Sequence, residues 1–267
     1  MIDLRFGDCL EVMKTIESVS VDAIITDPPY GTTACKWDSI IPFEPMWEQL
    51  NRIIKPNGAI VLFGSEPFSS ALRMSNIKNY KYDWVWLKSR PSGLMHSKNM
   101  PMKKHEIISV FSYAKIGHKT QLKDKRMIYY PQGLLKINKI HKRPKPNGSG
   151  SLTLGNRPSR KKEFKVDFTN YPHSILNFAS VHNVGASHPT QKPVSLMEYL
   201  IKTYTKEGET VLDFTMGSGS TMLACKNLNR NGIGIEKDET YFNIAQDRIE
   251  KSKRQKLEEF NFNETTT

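Results

Sequence analysis

The chain contains 267 residues, of which 38% are hydrophobic and 25% are charged, and its formal net charge is +12. These values indicate a globular protein with a substantial core, long enough for one large domain with an insertion but too short for two large domains. No segment approaches the roughly 20 consecutive apolar residues of a membrane span, and the charged N-terminus is unlike a secretory signal, so we expect a cytoplasmic protein. The cysteines Cys9, Cys35 and Cys225 lack the spacing of metal ligands, and no metal site is expected.

The first part of the chain predicts strands alternating with helices. Val21–Thr26 is a short, β-branched apolar run that predicts a buried strand of a parallel sheet, and Pro28 ends it because proline cannot donate a backbone hydrogen bond. Asp27 therefore lies at the carboxyl end of a strand, where open α/β sheets bind ligands. The elements predicted next are a helix over 43–54, a strand over 59–63, a helix over 69–75 and strands over 83–88 and 107–111.

The middle of the chain carries the excess positive charge. Residues 115–170 contain 15 Lys or Arg against three acidic residues, which accounts for the net charge of the whole chain. This is the electrostatic signature of a polyanion-binding element, although a solvated basic loop without a partner has the same composition. Pro, Gly, Ser, Lys and Arg dominate 141–163, so this stretch cannot supply a core. The residues expected to contact DNA are Lys142, Arg143, Lys145, Arg157, Arg160, Lys161 and Lys162.

The last third of the chain returns to alternating elements. One helix follows 188–193, and its apolar face is formed by Leu196, Tyr199, Leu200 and Tyr204. The elements predicted after it are a strand over 210–213, a Gly-Ser turn, a helix over 221–227, a strand over 232–236, a helix over 240–259 and a frayed tail over 261–267. Such alternation implies a three-layer α/β domain with a mostly parallel sheet.

The Gly-Ser turn and the strand after it predict a nucleoside-binding unit. Its glycines let the backbone approach a ligand closely. Glu236, which lies 19 residues after Gly217, can accept hydrogen bonds from both ribose hydroxyls, and Asp213 can face a positive group. A dinucleotide site is the alternative, but Met222 stands where its third glycine would be and would crowd a pyrophosphate. S-adenosylmethionine fits better, because it offers a ribose, an adenine, an ammonium and a sulfonium but no phosphate.

The proline-rich tetrapeptide after the first buried strand suits the capture of an amino group on a flat ring. The Asp27 carboxylate and the Pro28 carbonyl can each accept one amino N–H and favour the pyramidal nitrogen that attacks a methyl group. Tyr30 offers a face for stacking, and a target base must swing out of the duplex to reach it. For this tetrapeptide alone, an Asp-capped turn without function is the alternative. Trp84 and Trp86 share one strand face and either wall this pocket or belong to the core.

These patterns resemble the amino-group DNA methyltransferases. Asp27-Pro28-Pro29-Tyr30 resembles their catalytic motif in the form typical of N6-adenine enzymes, whereas N4-cytosine enzymes more often begin it with Ser. The order of catalytic motif, basic insertion and cofactor loop is similar to the permuted β group, whose target-recognition region lies between the two halves. The resemblance implies a Rossmann-like class I methyltransferase fold, with helices on both faces of a mostly parallel, seven-stranded sheet that contains one antiparallel strand.

The resemblance also implies domain limits and roles for single residues. Asp8 is expected near the cofactor adenine and Glu236 at the ribose, while the segment that contains Lys192 is expected to close over the methionine part. The implied cofactor-binding residues are Asp8, Lys192, Asp213, Thr215, Gly217, Ser218, Gly219, Ser220, Thr221 and Glu236. The implied domains are a catalytic domain over 1–114 and 185–260, a target-recognition region over 115–184 and a tail over 261–267.

We therefore expect a site-specific DNA adenine N6-methyltransferase that moves a methyl group directly from S-adenosylmethionine to a flipped adenine. N4-cytosine methylation by the same residues and a non-catalytic DNA-binding regulator are the alternatives. Double-stranded DNA is the expected partner, and its binding should weaken steeply with salt. Charge alone does not separate DNA from RNA, and the sequence leaves open a homodimer and a cognate restriction endonuclease as further partners.

Overall fold

A computed structural model describes residues 1–32, 38–117, 122–142, 163–181 and 191–252. Of the residues expected to contact DNA, only Lys142 lies within these ranges, at the end of a strand; the six from Arg143 to Lys162 lie outside them. The predicted tail and residues 188–190 also lie outside the described residues. None of the described helices is long and apolar enough to cross a membrane.

The described elements alternate between strands and helices, as predicted. In the first half they are β1 (Ile2–Phe6), α1 (Cys9–Met13), β2 (Val21–Thr26), α2 (Phe43–Ile53), β3 (Ile54–Gly64), α3 (Phe68–Ser75), β4 (Tyr80–Ser92) and β5 (Lys103–Phe111). In the second half they are β6 (Leu135–Lys142), β7 (Glu163–Thr169), β8 (Ile175–Asn177), α4 (Val194–Tyr204), β9 (Thr210–Asp213), α5 (Ser220–Asn227), β10 (Asn231–Glu236) and α6 (Glu239–Lys251). The unpredicted elements are β1, α1 and β6 to β8, which are short or carry charged residues among apolar ones.

One sheet organises the larger part of the chain. Its order is β1-β10-β9-β2-β3-β5-β4-β8, so among the described residues this sheet has eight strands, one more than the seven predicted. β5 runs antiparallel to both of its neighbours, and the other pairings are parallel. The prediction of a mostly parallel α/β sheet with one antiparallel strand is confirmed. The additional strand, β8, pairs with β4 at the edge of the sheet.

Two hydrophobic cores cover the two faces of this sheet. Ala23 and Ile25 of β2 belong to the core that contains residues of α4, α5 and α6. Ile24, between them, belongs to the opposite core, which contains residues of α1, α2 and α3. This alternation explains why every residue of β2 is buried, as in a parallel strand covered by helices on both sides. Each fully buried isoleucine side chain contributes roughly 1.5–3 kcal/mol relative to exposure.

The neighbouring positions of β2 and β9 determine where the site forms. Ala23 and Ile24 pair in parallel with Val211 and Leu212, although almost 190 residues separate the two strands in the chain. Parallel strands end at the same edge of a sheet, so the segments that follow β2 and β9 leave the sheet side by side. The segment after β2 is Asp27-Pro28-Pro29-Tyr30, called the catalytic-type motif from here on, and the segment after β9 is the Gly-Ser turn.

The chain divides into two compact units. The smaller unit, Pro131–His173, contains the antiparallel pair β6 and β7, with Leu135 opposite Thr169. It is narrower than the predicted insertion of 115–184. Residues 115–130 belong to the larger unit, where the Tyr130 amide donates a 2.8 Å hydrogen bond to the Thr203 carbonyl, and β8 is part of the main sheet. The role of this region in target recognition stays a prediction.

Candidate active site

A cavity of about 820 Å³ opens where β2, β9 and β10 end. This volume is ample for a small-molecule site, typically about 300–1,000 Å³. The predicted site residues that line it are Asp8, Asp27, Pro28, Pro29, Tyr30, Lys192, Asp213, Thr215, Gly217, Ser218, Ser220, Thr221 and Glu236. Gly219 immediately precedes α5 and turns the chain into that helix. The structure thus brings the two sequence motifs into one cavity of the larger unit.

Asp27 lies at the centre of a hydrogen-bonded group on the cavity wall. Its carboxylate accepts hydrogen bonds from the Tyr30 hydroxyl and from the Lys192 ammonium. Burial raises the pKa of the Asp27 carboxyl above its usual value, although the Lys192 charge opposes this rise. Burial and the adjacent carboxylate raise the pKa of Tyr30 well above its usual value, so its hydroxyl stays protonated and donates. One face of the Tyr30 ring stacks on Phe68, with ring centres 5.2 Å apart.

Asp38 holds the turn that follows Tyr30. Its carboxylate accepts backbone N–H groups from Tyr30, Gly31 and Thr32 at 2.8–2.9 Å, and the residue is only 8% exposed. This bonding anchors the backbone that carries Tyr30. Asp38 was not predicted as a site residue, since the preference of Asp for turns was its only local signal.

Two threonines connect the catalytic-type motif to the cofactor loop. Thr26 donates a 2.8 Å hydrogen bond to the Asp213 carboxylate and accepts one from the Phe214 amide at 3.0 Å. Thr215 donates to the backbone carbonyl of Asp27 at 3.1 Å. A displacement of either segment therefore disturbs the other.

The Asp213 side chain is buried and bonded to protein groups, whereas the sequence suggested only that it could face a positive group. It is 3% exposed, and its carboxylate accepts hydrogen bonds from Thr26, from Thr221 at 2.5 Å and from the Thr215 amide at 3.2 Å. Burial raises the pKa of Asp213 to about 6, while these hydrogen bonds favour the ionised form. Its bonds fix the start of the loop and the first turn of α5.

Glu236 and two glycines shape the cofactor loop. Glu236 accepts the Gly217 amide at 2.9 Å with one carboxylate oxygen and the Lys237 and Asp238 amides, each at 2.9 Å, with the other. Gly217 and Gly219 have φ angles of 52° and 78°, which L-residues with side chains rarely adopt. The carboxylate therefore binds the loop while it also lines the cavity.

Lys192 and Glu106 form the charged side of the cavity. The Lys192 ammonium contacts Asp27 and lies 3.4 Å from a Glu106 carboxylate oxygen, while the Lys88 ammonium lies 3.2 Å from the other. Lys192 was predicted to bind the cofactor, but its observed partners are these two carboxylates. Glu106 was not predicted as a site residue, because no catalytic or cofactor-binding motif of the sequence includes it.

Three other residues complete the account of the predicted site. Asp8 lines the cavity and caps α1, where its carboxylate accepts the Leu10 amide at 2.9 Å. Trp86 lines the cavity, and its indole donates to the Phe178 carbonyl at 2.9 Å. Trp84 belongs to the core and donates to the Tyr204 hydroxyl at 2.7 Å. Both tryptophans therefore belong to the core, and Trp86 also lines the cavity.

The family model of the N6 and N4 DNA methylases matches residues 21–247 of the chain, so the protein belongs to this family. It is an S-adenosylmethionine-dependent DNA methyltransferase, which confirms the predicted enzyme class and cofactor.

Similar proteins cover nearly the whole chain. The Type II methyltransferase M.HpaI of Haemophilus parainfluenzae is 26% identical over 91% of this chain and 73% of its own length. The Type II methyltransferase M2.DpnII of Streptococcus pneumoniae is 28% identical over 92% of this chain and 89% of its own. The protein in the crystal structure of the M1.HpyAVI–SAM complex is 27% identical in sequence. The match covers 93% of this chain and 100% of the M1.HpyAVI chain, and the two structures superpose with a TM-score of 0.58. The cytosine-N4-specific PvuII DNA methyltransferase shares the fold at 15% identity, with a TM-score of 0.63, over 92% of this chain and 86% of its own. The predicted class I methyltransferase fold is confirmed.

Proposed function

We propose that this methyltransferase modifies N6 of adenine in double-stranded DNA. The basic segment, residues 115–170, recognises the target sequence. The observation that carries the proposal is the position of the Asp27-Pro28-Pro29-Tyr30 motif in the same cavity as the glycine loop and Glu236. A methyl acceptor on the first motif and a methyl donor on the second then lie in the same cavity. Asp at the first position of the motif favours adenine over cytosine.

The cavity fits S-adenosylmethionine by its donor and acceptor set. Glu236 and Asp8 are carboxylates suited to the ribose and the adenine, and the Gly217 turn leaves space for close approach of a ligand. Asp213 holds Thr215 and Thr221 in place and so orients the loop around the ligand. When bound, S-adenosylmethionine supplies an electrophilic methyl group on a sulfonium centre.

The target amino group is captured by two acceptors. The Asp27 carboxylate and the Pro28 carbonyl each accept one amino N–H, which localises the nitrogen lone pair for attack on the methyl carbon. As the new nitrogen–carbon bond forms, one amino proton must leave, and the Asp27 carboxylate is the base placed to receive it. The face of Tyr30 that Phe68 does not cover stacks on the flipped adenine. No covalent bond between enzyme and base is required.

The chain order supports membership of the permuted β group, with the catalytic motif before the basic segment and the cofactor loop after it. We assign target recognition to 115–184, including Lys142 and the predicted basic residues Arg143, Lys145, Arg157, Arg160, Lys161 and Lys162. DNA in the cytoplasm is the substrate, and a cognate restriction endonuclease and a second copy of the chain are the further partners proposed.

Identification of the methylated nucleoside tests this function. Unmethylated genomic DNA is incubated with the protein and S-adenosylmethionine, digested to nucleosides and analysed by mass spectrometry. We expect N6-methyl-2′-deoxyadenosine to be formed, and Asp27→Ala to abolish it while the variant still binds the cofactor. N4-methylcytosine as the product, or a fully active Asp27→Ala variant, would contradict the assignment.

A further inference from the structure

Four charged side chains form a connected row beside the base-capture motif. In order they are Asp27, Lys192, Glu106 and Lys88. They come from the turn after β2, the segment before α4, the strand β5 and the strand β4. The Lys192 and Glu106 side chains are 8% and 15% exposed, so the centre of the row is largely shielded from water. Its formal charges cancel, two positive against two negative.

Lys192 occupies a carboxylate that the proposed reaction needs. Each Asp27 oxygen already accepts one hydrogen bond, from the Lys192 ammonium or from the Tyr30 hydroxyl, so a target amino group must compete with Lys192 for this carboxylate. If Lys192 simply withdrew, an ammonium would be left unpaired in a shielded site, which is strongly unfavourable. The ammonium therefore needs a second partner within reach.

Glu106 is placed to be this second partner. Its Oε2 atom is buried, lies 3.4 Å from the Lys192 nitrogen and makes no hydrogen bond within the part of the chain that the structure describes. Its other oxygen is paired with Lys88 at 3.2 Å, which keeps the carboxylate oriented. A shift of well under 1 Å would bring Lys192 to ordinary hydrogen-bond distance from Glu106, about 2.8 Å.

We infer that Glu106 is a positioning residue that receives the Lys192 ammonium when Asp27 turns its carboxylate to the target amino group. The inference rests on the proposed role of Asp27 as the amino-group acceptor. Glu106 contacts neither the base nor the cofactor in this account. It acts through Lys192, which moves between two carboxylates while the row stays neutral.

The charge of Glu106 also affects the pH dependence of the rate. The charged and titratable groups that act on Asp27 are Tyr30, Lys192 and Glu106, together with Asp213, which is hydrogen-bonded to the adjacent Thr26. The negative charge of Glu106 raises the pKa of Asp27, and Lys192 lowers it. Since the acceptor must be ionised, removing the charge of Glu106 should lower the pKa of Asp27 and move the acid limb of the pH–rate profile to lower pH.

Steady-state kinetics of Glu106→Gln test the inference. With unmethylated genomic DNA and radiolabelled S-adenosylmethionine, we expect kcat at the plateau to fall about tenfold. We expect the acid limb to move down by about one pH unit, and the Kd of the cofactor to stay unchanged. Glu106→Asp, which keeps the charge, should retain the acid limb of the unmodified enzyme. Glu198→Gln is the matched control: Glu198 accepts a 2.8 Å hydrogen bond from Asn227 and does not line the cavity.

Three results would overturn the inference. They are an unchanged kcat and pH profile in Glu106→Gln, a loss of cofactor affinity that accounts for the whole loss of rate, and the same acid-limb shift in Glu106→Asp. If Glu106→Gln does not fold, Glu106→Asp still tests the inference, because a shift of the acid limb of the pH–rate profile in that variant contradicts the role given to the Glu106 charge. Asp27→Ala, measured in parallel, separates a failure of the proposed function from a failure of the role given to Glu106. If Asp27→Ala is inactive while Glu106→Gln behaves like the unmodified enzyme, only the role of Glu106 is contradicted. If Asp27→Ala is active, the proposed function fails first.

Discussion

Single hydroxyl groups couple the two halves of the site at the residue scale. Thr26 and Thr215 each bridge the catalytic-type motif and the cofactor loop, at 2.8 Å to the Asp213 carboxylate and 3.1 Å to the Asp27 carbonyl. A hydrogen bond to a neutral carbonyl, such as that of Thr215, contributes about 1 kcal/mol, and one to an ionised carboxylate, such as that of Thr26, contributes about 1.5–3 kcal/mol. Their importance lies in where they act, because they hold the backbone of the methyl acceptor site against the backbone of the methyl donor site.

The burial of Asp213 predicts a pH-dependent contribution to stability. Its folded-state pKa of about 6 lies above the usual value, so the folded protein binds this proton more tightly than the unfolded chain. The contribution of Asp213 to the free energy of unfolding therefore falls as pH rises from about 4 to about 6. Above that range the ionised, buried carboxylate lowers the free energy of unfolding by roughly 3 kcal/mol. In Asp213→Asn this dependence should disappear. Urea unfolding of both proteins at pH 4.5 and 7.5 gives the difference, with Asp3→Asn, at the exposed Arg5 pair, as the control.

An equal pH dependence in the Asp213→Asn variant and the unmodified protein would contradict this assignment. The comparison is sound because each threonine hydroxyl can reorient to serve as donor or acceptor for the asparagine amide. Loss of stability that is uniform across pH would report the lost hydrogen bonds alone.

At the scale of secondary structure elements, the antiparallel strand β5 supplies the residue that the motifs lack. β5 pairs with β4 so that Glu106 lies opposite Trp86, and Lys88 follows two residues later on the same face. Cross-strand neighbours of this kind share one face of a sheet. The charged row of the cavity is thus a product of strand pairing.

Gly219, in the turn before α5, and Gly208, between α4 and β9, form a matched pair for a second prediction. Gly219 and Gly208 share a φ angle of 78°, so alanine strains both backbones by about 1–2 kcal/mol. A Cβ at Gly219 would lie 3.0 Å from the Ala245 Cβ of α6, whereas at Gly208 no atom lies within 4 Å. We expect Gly219→Ala to lower the melting temperature further than Gly208→Ala, and to weaken cofactor binding severalfold because the loop shifts.

Differential scanning calorimetry and isothermal titration with S-adenosylmethionine measure these two effects. Gly208→Ala controls for the backbone strain, since it keeps the same φ without the contact to α6. Equal melting temperatures and equal cofactor affinities in the two variants would show that the packing of α5 against α6 does not hold the loop.

For the whole molecule, the distribution of charge predicts how DNA binding responds to salt. The positive excess lies within 115–170, and Lys136 and Lys139 of β6 are exposed. Each lysine that binds a phosphate releases about one counterion. We expect the double variant Lys136→Ala, Lys139→Ala to reduce the slope of log K against log salt by about 2.

Fluorescence anisotropy with a labelled DNA duplex at several salt concentrations provides the slopes. Lys14→Ala serves as the control, because Lys14 is exposed, lies outside the basic segment and pairs with Glu11. An unchanged slope in the double variant, or an equal reduction in the control, would show that β6 is not part of the DNA-binding surface.

Much of the fold was predictable because its signals are local. Strands β2 and β9 agree residue for residue with the prediction, since a buried parallel strand is a short apolar run and Pro28 or the glycine turn marks its end. By contrast, β1 alternates apolar and charged residues and was not recognised. The pair β6 and β7 was also missed, because charged residues are mixed with apolar ones and most of the described side chains are exposed, so no core pattern reveals the strands.

The residues of this chain were sufficient to place an amino-capturing motif and a glycine turn at strand ends, since proline and glycine act on the backbone wherever they stand. They could not show that Lys192 faces Asp27, that Asp38 clamps the turn or that Glu106 lies within reach of Lys192. These contacts depend on which strands are neighbours and on the register of β4 against β5. Such long-range relationships arise only when two cores close over one sheet, because a side chain's distant partners are not encoded by its neighbours in the sequence.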